Sequence, residues 1–168
     1  LTVLKTKDKP TPKKAYMWLY RTSACSGKNI VLYEYKPNRK IENAENFLQG
    51  FKGYIHADGY PGYNKLGENF TLVGCWAHCR RKFTEAVEVL KKKDRKNSNS
   101  AKGLDFCHEL YKIEDEIEDF SYEDKLKVRQ EKSKQILDAF LCWAETIYAA
   151  PKSKLGKAIG YLKNNEKY

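Results

Sequence analysis

Asp58 ends the run Tyr54-Ile55-His56-Ala57-Asp58 and is followed by Gly59-Tyr60-Pro61-Gly62. This spacing puts a carboxylate where an apolar strand gives way to a turn broken by glycine and proline, a place where scaffolds present reactive groups. About twenty residues further on come Trp76, His78, Arg80, Arg81 and Lys82. Hard carboxylate oxygens suit Mg²⁺ or Mn²⁺, and cations beside them suit phosphate. The chemistry these residue types point to is metal-assisted reaction on a phosphate polymer.

One carboxylate does not make such a centre. Two-metal phosphoryl transfer needs acidic oxygens on neighbouring rigid elements, holding ions about 3.5–4 Å apart. Glu34, Glu109 and Glu114 are the local alternatives, and each reads more simply as a partner of the many lysines. Cys75, His78 and Cys79 form C-x-x-H-C, with Cys107-His108 beyond. Four such ligands could hold Zn²⁺ in a tetrahedron, but the spacing is not that of a finger, and adjacent Cys107 and His108 cannot easily ligate together. His78 reads either as a group near the reacting phosphate or as a hydrogen-bonded histidine of the fold. Trp76 reads as packing beside the site and as a DNA contact, and Arg80, Arg81 and Lys82, expected at the opening of a helix, as phosphate ligands that bind DNA.

The charge pattern agrees with a polyanionic partner. Residues 1–40 carry ten Lys/Arg against two acids, and 80–102 carry nine against three, whereas 105–124 carry one against nine. Such segregation favours nucleic acid over generic solubility. A non-catalytic nucleic-acid-binding module is the alternative reading to an enzyme. No apolar run approaches bilayer length and the first residues lack a signal-peptide core, so no membrane partner is expected. An odd count of five cysteines points to reduced thiols in a cytoplasmic setting.

The elements that must position these residues divide into two kinds. Residues 1–15 read as a frayed strand end and a basic loop. Tyr16 to Thr22 and Ile30 to Lys36 are β-branched and aromatic runs joined by a flexible turn, a hairpin. Alternation puts Tyr16, Trp18 and Tyr20 on one face, where they are expected to cap a core against helices. Ile41, Ala44, Phe47, Leu48 and Phe51 recur at helical spacing before Gly53. Strands follow over 54–58 and 70–74, with one helical turn between them. From Arg80 on the pattern is helical, with apolar stripes over 83–90, 104–120, 126–148 and 155–162 and a polar loop over 91–102. The expected class is α/β: a mixed sheet over 1–79 followed by a helical bundle over 80–168.

The strings GYIHADGYPGYNKL (53–66) and VGCWAHCRRKF (73–83), with YMWLYR (16–21) and IVLYEYKP (30–37) before them, resemble the transposases of the insertion sequence 66 family. The resemblance is densest over 16–83 and continues beyond mainly as helical layout. It implies an incomplete ribonuclease H-like core with an all-helical insertion, and an Asp-Asp-Glu triad that binds Mg²⁺ or Mn²⁺ and moves DNA strands. Asp58 matches the second Asp. The first Asp, in an Asp-Glu-Thr string, would precede Leu1, and the Glu, in Asn-Asn-x-x-Glu-Arg, would follow Tyr168. Cys79 stands where the family has a small residue. The implied partners are element ends, target DNA and further copies of the protein in a nucleoid-associated complex. On this reading the chain is an excised middle, inactive alone, with no metal held by the fragment itself.

Overall fold

The computed structural model describes the backbone of residues 2–3 and residues 15–168 apart from 24–26 and 67–68. The basic loop expected before Ala15, Cys25 and the middle of the hairpin turn lie outside the described residues. By packing, the chain forms two units: residues 1–54 with 60–71, and residues 55–59 with 72–168.

The first unit is built on the expected hairpin. Strands β1 (Thr2–Val3), β2 (Ala15–Arg21) and β3 (Val31–Lys36) form an antiparallel sheet in that order, with Trp18 opposite Glu34 and Leu19 opposite Tyr33. Thr22 and Ile30 close the turn: their backbones bond at 3.0 Å, and the Ile30 N–H donates to the Thr22 hydroxyl at 2.9 Å. The face carrying Trp18 and Tyr20 meets α1 (Glu42–Phe47), where Tyr20 stacks on Phe47 with ring centres 3.6 Å apart. Trp18 is buried and meets Tyr63 edge-on. These aromatics cap a core, as their alternation predicts. Leu19, Val31, Tyr33 and Tyr35, on the opposite face, remain half exposed.

Strands β4 (Gly53–His56) and β5 (Phe70–Val73) make a separate two-stranded ribbon around a 3₁₀ turn at Pro61–Lys65. Gly53 N–H donates to Asn69 and Ala57 N–H to Val73, so the pairing advances in the same sense along both strands and the ribbon is parallel. The mixed α/β class expected from sequence holds, but the strands form two sheets among the described residues instead of one.

The second unit is helical: α2 (Trp76–Glu88), α3 (Lys92–Arg95), α4 (Asn99–Glu116), α5 (Tyr122–Val128), α6 (Lys134–Thr146) and α7 (Lys154–Asn164). A π-helical turn at Arg129–Ser133 joins α5 to α6, so the long third stripe is one helix with a locally underwound, widened turn. Phe83, Cys107, Phe140, Trp143, Ala144 and Ile159 form its core. Ser98, Ser121 and Ser153 each accept a hydrogen bond from the backbone three residues on, capping α4, α5 and α7.

Two expectations need correction. Helix α2 begins at Trp76, not Arg80, with Cys75 as a cap that makes no side-chain bond. Arg80, Arg81 and Lys82 therefore sit in its second turn, and the penalty for cations at a helix start does not apply to them. The stretch 91–102 is not a loop throughout: it holds α3 and the first turn of α4, because Ser98 supplies a cap inside a run that reads as merely polar.

Candidate active site around Asp58

Asp58 lies two residues past β4 and belongs to the helical unit. Its backbone is fixed by α7. The Tyr161 hydroxyl donates to the Asp58 carbonyl at 3.1 Å, across 103 residues of chain. Gly59 follows in the left-handed region at φ +74°, and a Cβ there would lie 2.7 Å from Asn165 Oδ1 and 3.0 Å from the Tyr161 ring. Only glycine combines that dihedral with so close an approach. Asn165 is itself anchored by donating Nδ2 to the Tyr161 carbonyl at 2.7 Å. The turn that presents Asp58 is thus clamped between strand and helix.

Tyr161 also ties Asp58 to one of the expected cations. Lys82 Nζ stands 5.0 Å from the centre of the Tyr161 ring. Burial, followed by the neighbouring Cys75, Cys79 and Asp58, pushes the Tyr161 hydroxyl up to about 12. It therefore stays protonated, and a donor to Asp58, throughout the neutral range. The three cations of α2 fan out, at about 100° per residue. Arg80 stacks over Tyr111 of α4 at 4.1 Å, Arg81 is exposed, and Lys82 turns to α7. They do not converge on one point; Lys82 is the one that shares a partner with Asp58. The face of α2 that carries Lys82 is pinned to α7 one turn later, where Lys154 Nζ meets Glu85 at 2.6 Å.

His78 is half buried, and its Nδ1 is enclosed without a hydrogen-bond partner among the described residues. A buried imidazole nitrogen without a partner is costly to a fold, and Trp18 Nε1 and Ser133 Oγ share that status among the described residues. Trp76 is 38% exposed and stacks on Phe140 at 6.5 Å, so the core holds one side of the indole while the rest reaches solvent.

Two of the cysteines behave as packing groups. Cys79 and Cys107 are buried together, and the hydrogen bond to Cys107, with burial second, pushes the Cys79 thiol far up. That favours the protonated thiol, whereas a zinc ligand must be a thiolate. Cys107 faces the core and His108 faces solvent. Among the described residues, no three His, Cys, Asp or Glu side chains gather to hold a metal. Two of the other carboxylates weighed from sequence have partners of their own: Glu34 pairs with Lys36 at 2.8 Å, and Arg129 Nε donates to Glu114 at 2.8 Å; Glu109 is exposed on α4. Among the described residues, no helix is long and apolar enough to cross a membrane.

The sequence gives little sign of Tyr161 and Asn165. They lie beside the apolar stripe of α7, and nothing local connects them to a strand end a hundred residues earlier.

The family model described as "Transposase IS66 family" matches residues 1–168. Among curated proteins, the chain is similar to the uncharacterized protein y4qI of Sinorhizobium fredii (strain NBRC 101917 / NGR234), 30% identical over 163 residues, or 88% of this chain and 29% of that protein. It is also similar to the uncharacterized protein y4hP of the same organism, 29% identical over 178 residues, or 95% of this chain and 32% of that one. The chain thus spans about a third of the length of these relatives. No solved structure matches it.

Proposed function

This chain belongs to the transposase IS66 family, and from that premise we propose that it is part of the catalytic core of a metal-dependent DNA strand transferase, with Asp58 as one of its metal-binding carboxylates. The observation that carries the reading is the clamped turn. A carboxylate-bearing residue follows a strand of a parallel pair, and its backbone is fixed by Tyr161, which also sits under Lys82. The ribonuclease H-like core is proposed from the family; the described strands supply a parallel pair, β4 and β5, and an antiparallel hairpin, which are not joined in one sheet.

The donor chemistry of Asp58 fits a hard divalent cation such as Mg²⁺ or Mn²⁺, but it supplies one ligand. The remaining carboxylates belong, on this proposal, to parts of the intact protein outside these 168 residues. When bound, the metal would activate the attacking oxygen and stabilise the leaving one. The chain's own part is to hold the Asp58 carboxylate at a fixed turn and to offer Lys82 and Arg81, with the edge of the stacked Arg80, to successive phosphates. His78, carried on the first turn of α2, assists near the phosphate on this proposal, through the part of its ring that is not enclosed. DNA is the proposed substrate, as the element's ends and its target.

The test is Asp58→Asn in the intact transposase. The isosteric amide is expected to abolish strand cleavage, by at least about a thousandfold if charge stabilisation of this kind is lost, while the variant still binds DNA. Cleavage at the wild-type rate would refute the assignment of Asp58.

A further inference from the structure

A cavity of about 170 Å³ opens beside the start of α2, bounded by Gly74, Cys75, Trp76, Leu141, Tyr161 and Glu166 among others. The geometry points to this cavity as a receptor for one unpaired nucleobase of the DNA, an inference that rests on the DNA-transferase reading above.

Size is the first argument. The cavity falls below the ~300–1,000 Å³ of sites for drug-sized ligands, so it takes a single ring system and not a whole nucleotide. Its walls are the second. The Trp76 indole is braced by Phe140 and remains 38% exposed, which makes it a fixed platform for a planar partner. Charge is the third. None of the lining residues is a lysine or arginine, and the one charged side chain is that of Glu166. A carboxylate repels phosphate but accepts hydrogen bonds from the exocyclic amino groups of cytosine, adenine and guanine. The cations that suit phosphate lie further along α2, at Arg81 and Lys82. Position is the fourth: Tyr161 lines the cavity and also donates to the Asp58 carbonyl, so one side chain separates the cavity from the residue assigned to the reacting phosphate. A base unstacked next to the cut strand has this cavity within reach, and extruding a nucleotide exposes the strand for chemistry.

The experiment measures anisotropy with the 168-residue chain and three dye-labelled duplexes of one sequence: fully paired, with one unpaired cytosine, and with one unpaired thymine. The unpaired-cytosine duplex is expected to bind about tenfold tighter than the paired one, within the range that stacking a base on an aromatic ring contributes. Trp76→Ala is expected to remove that ratio and Trp76→Phe to keep part of it. Because Trp76 packs on Phe140, exposed Glu166 provides a second variant that does not threaten the fold. Glu166→Ala is expected to erase the preference for unpaired cytosine over unpaired thymine. Binding of the paired duplex with no preference for the unpaired base, or a preference that survives Trp76→Ala, overturns the base pocket alone. Failure to bind even the paired duplex overturns the DNA reading and the pocket together.

Discussion

Tyr161 is where strand-end geometry and local electrostatics meet. Its hydroxyl holds the Asp58 carbonyl and its ring carries Lys82. Its folded-state value is raised, so the folded state keeps its proton while the unfolded chain loses it. The sign follows: the stabilisation is fully present below pH 10 and is lost as pH rises from 10 through about 12. Tyr161→Phe should flatten that alkaline loss in a pH series of urea midpoints, and should cost about 0.5–1.5 kcal/mol at neutral pH through the missing hydrogen bond. Arg81 makes a different prediction, because it is exposed. Arg81→Ala should leave the urea midpoint within about 0.5 kcal/mol of wild type and should lower the salt slope of DNA binding by about one phosphate's worth. Arg80→Ala should show itself first in stability, since its guanidinium packs α2 against Tyr111. At this scale the sequence made Asp58 legible through the Gly/Pro-broken turn behind it. The clamp was not legible, because a contact across 103 residues leaves no local pattern.

Helix α2 is the element on which the proposed site depends, and α4 crosses it at its closest where Gly103 faces Phe83. A Cβ on Gly103 would lie 2.3 Å from the fully buried Phe83 ring. Gly103→Ala gains helix propensity of about 1 kcal/mol and meets an overpacking cost of about 1–3 kcal/mol. The expected net outcome is a lower thermal midpoint; a clear rise would mean that α2 and α4 are not packed this tightly. Strands and stripes were readable here because apolar periodicity is a strong local signal. The hairpin, the ribbon strands and the bodies of the four helical stripes lie where the pattern puts them, but α1 stops at Phe47 short of Leu48 and Phe51, and the stripe positions Phe120, Leu126 and Tyr148 are exposed. The start of α2 was not readable, since Cys75 is a cap with no capping bond and a helix beginning there carries no Ser, Thr, Asp or Asn to announce it. Ser98 did announce α4, but from inside a lysine- and asparagine-rich run that resembles a loop. That the strands would divide between two sheets depends on pairing between distant segments, which alternation along a single strand does not encode.

At the scale of the molecule, the net charge of +10 and the basic 80–102 segment lead us to expect DNA binding by the chain as it stands, without cleavage. If three phosphates are neutralised at Arg80, Arg81 and Lys82, the plot of log affinity against log salt should have a slope of about −2.7. A slope near zero would remove the phosphate role from α2. On the proposed reading catalysis belongs to the intact protein, because Asp58 would supply only one ligand to a metal. The most direct test of that central claim is Asp58→Cys in the intact transposase, with DNA cleavage measured in Mg²⁺ and in Mn²⁺. A thiolate is a poor ligand for Mg²⁺ and a better one for the softer transition metal. If Asp58 binds the catalytic ion, the variant is inactive in Mg²⁺ and regains cleavage in Mn²⁺. Cleavage in Mg²⁺ at the wild-type rate would contradict the account.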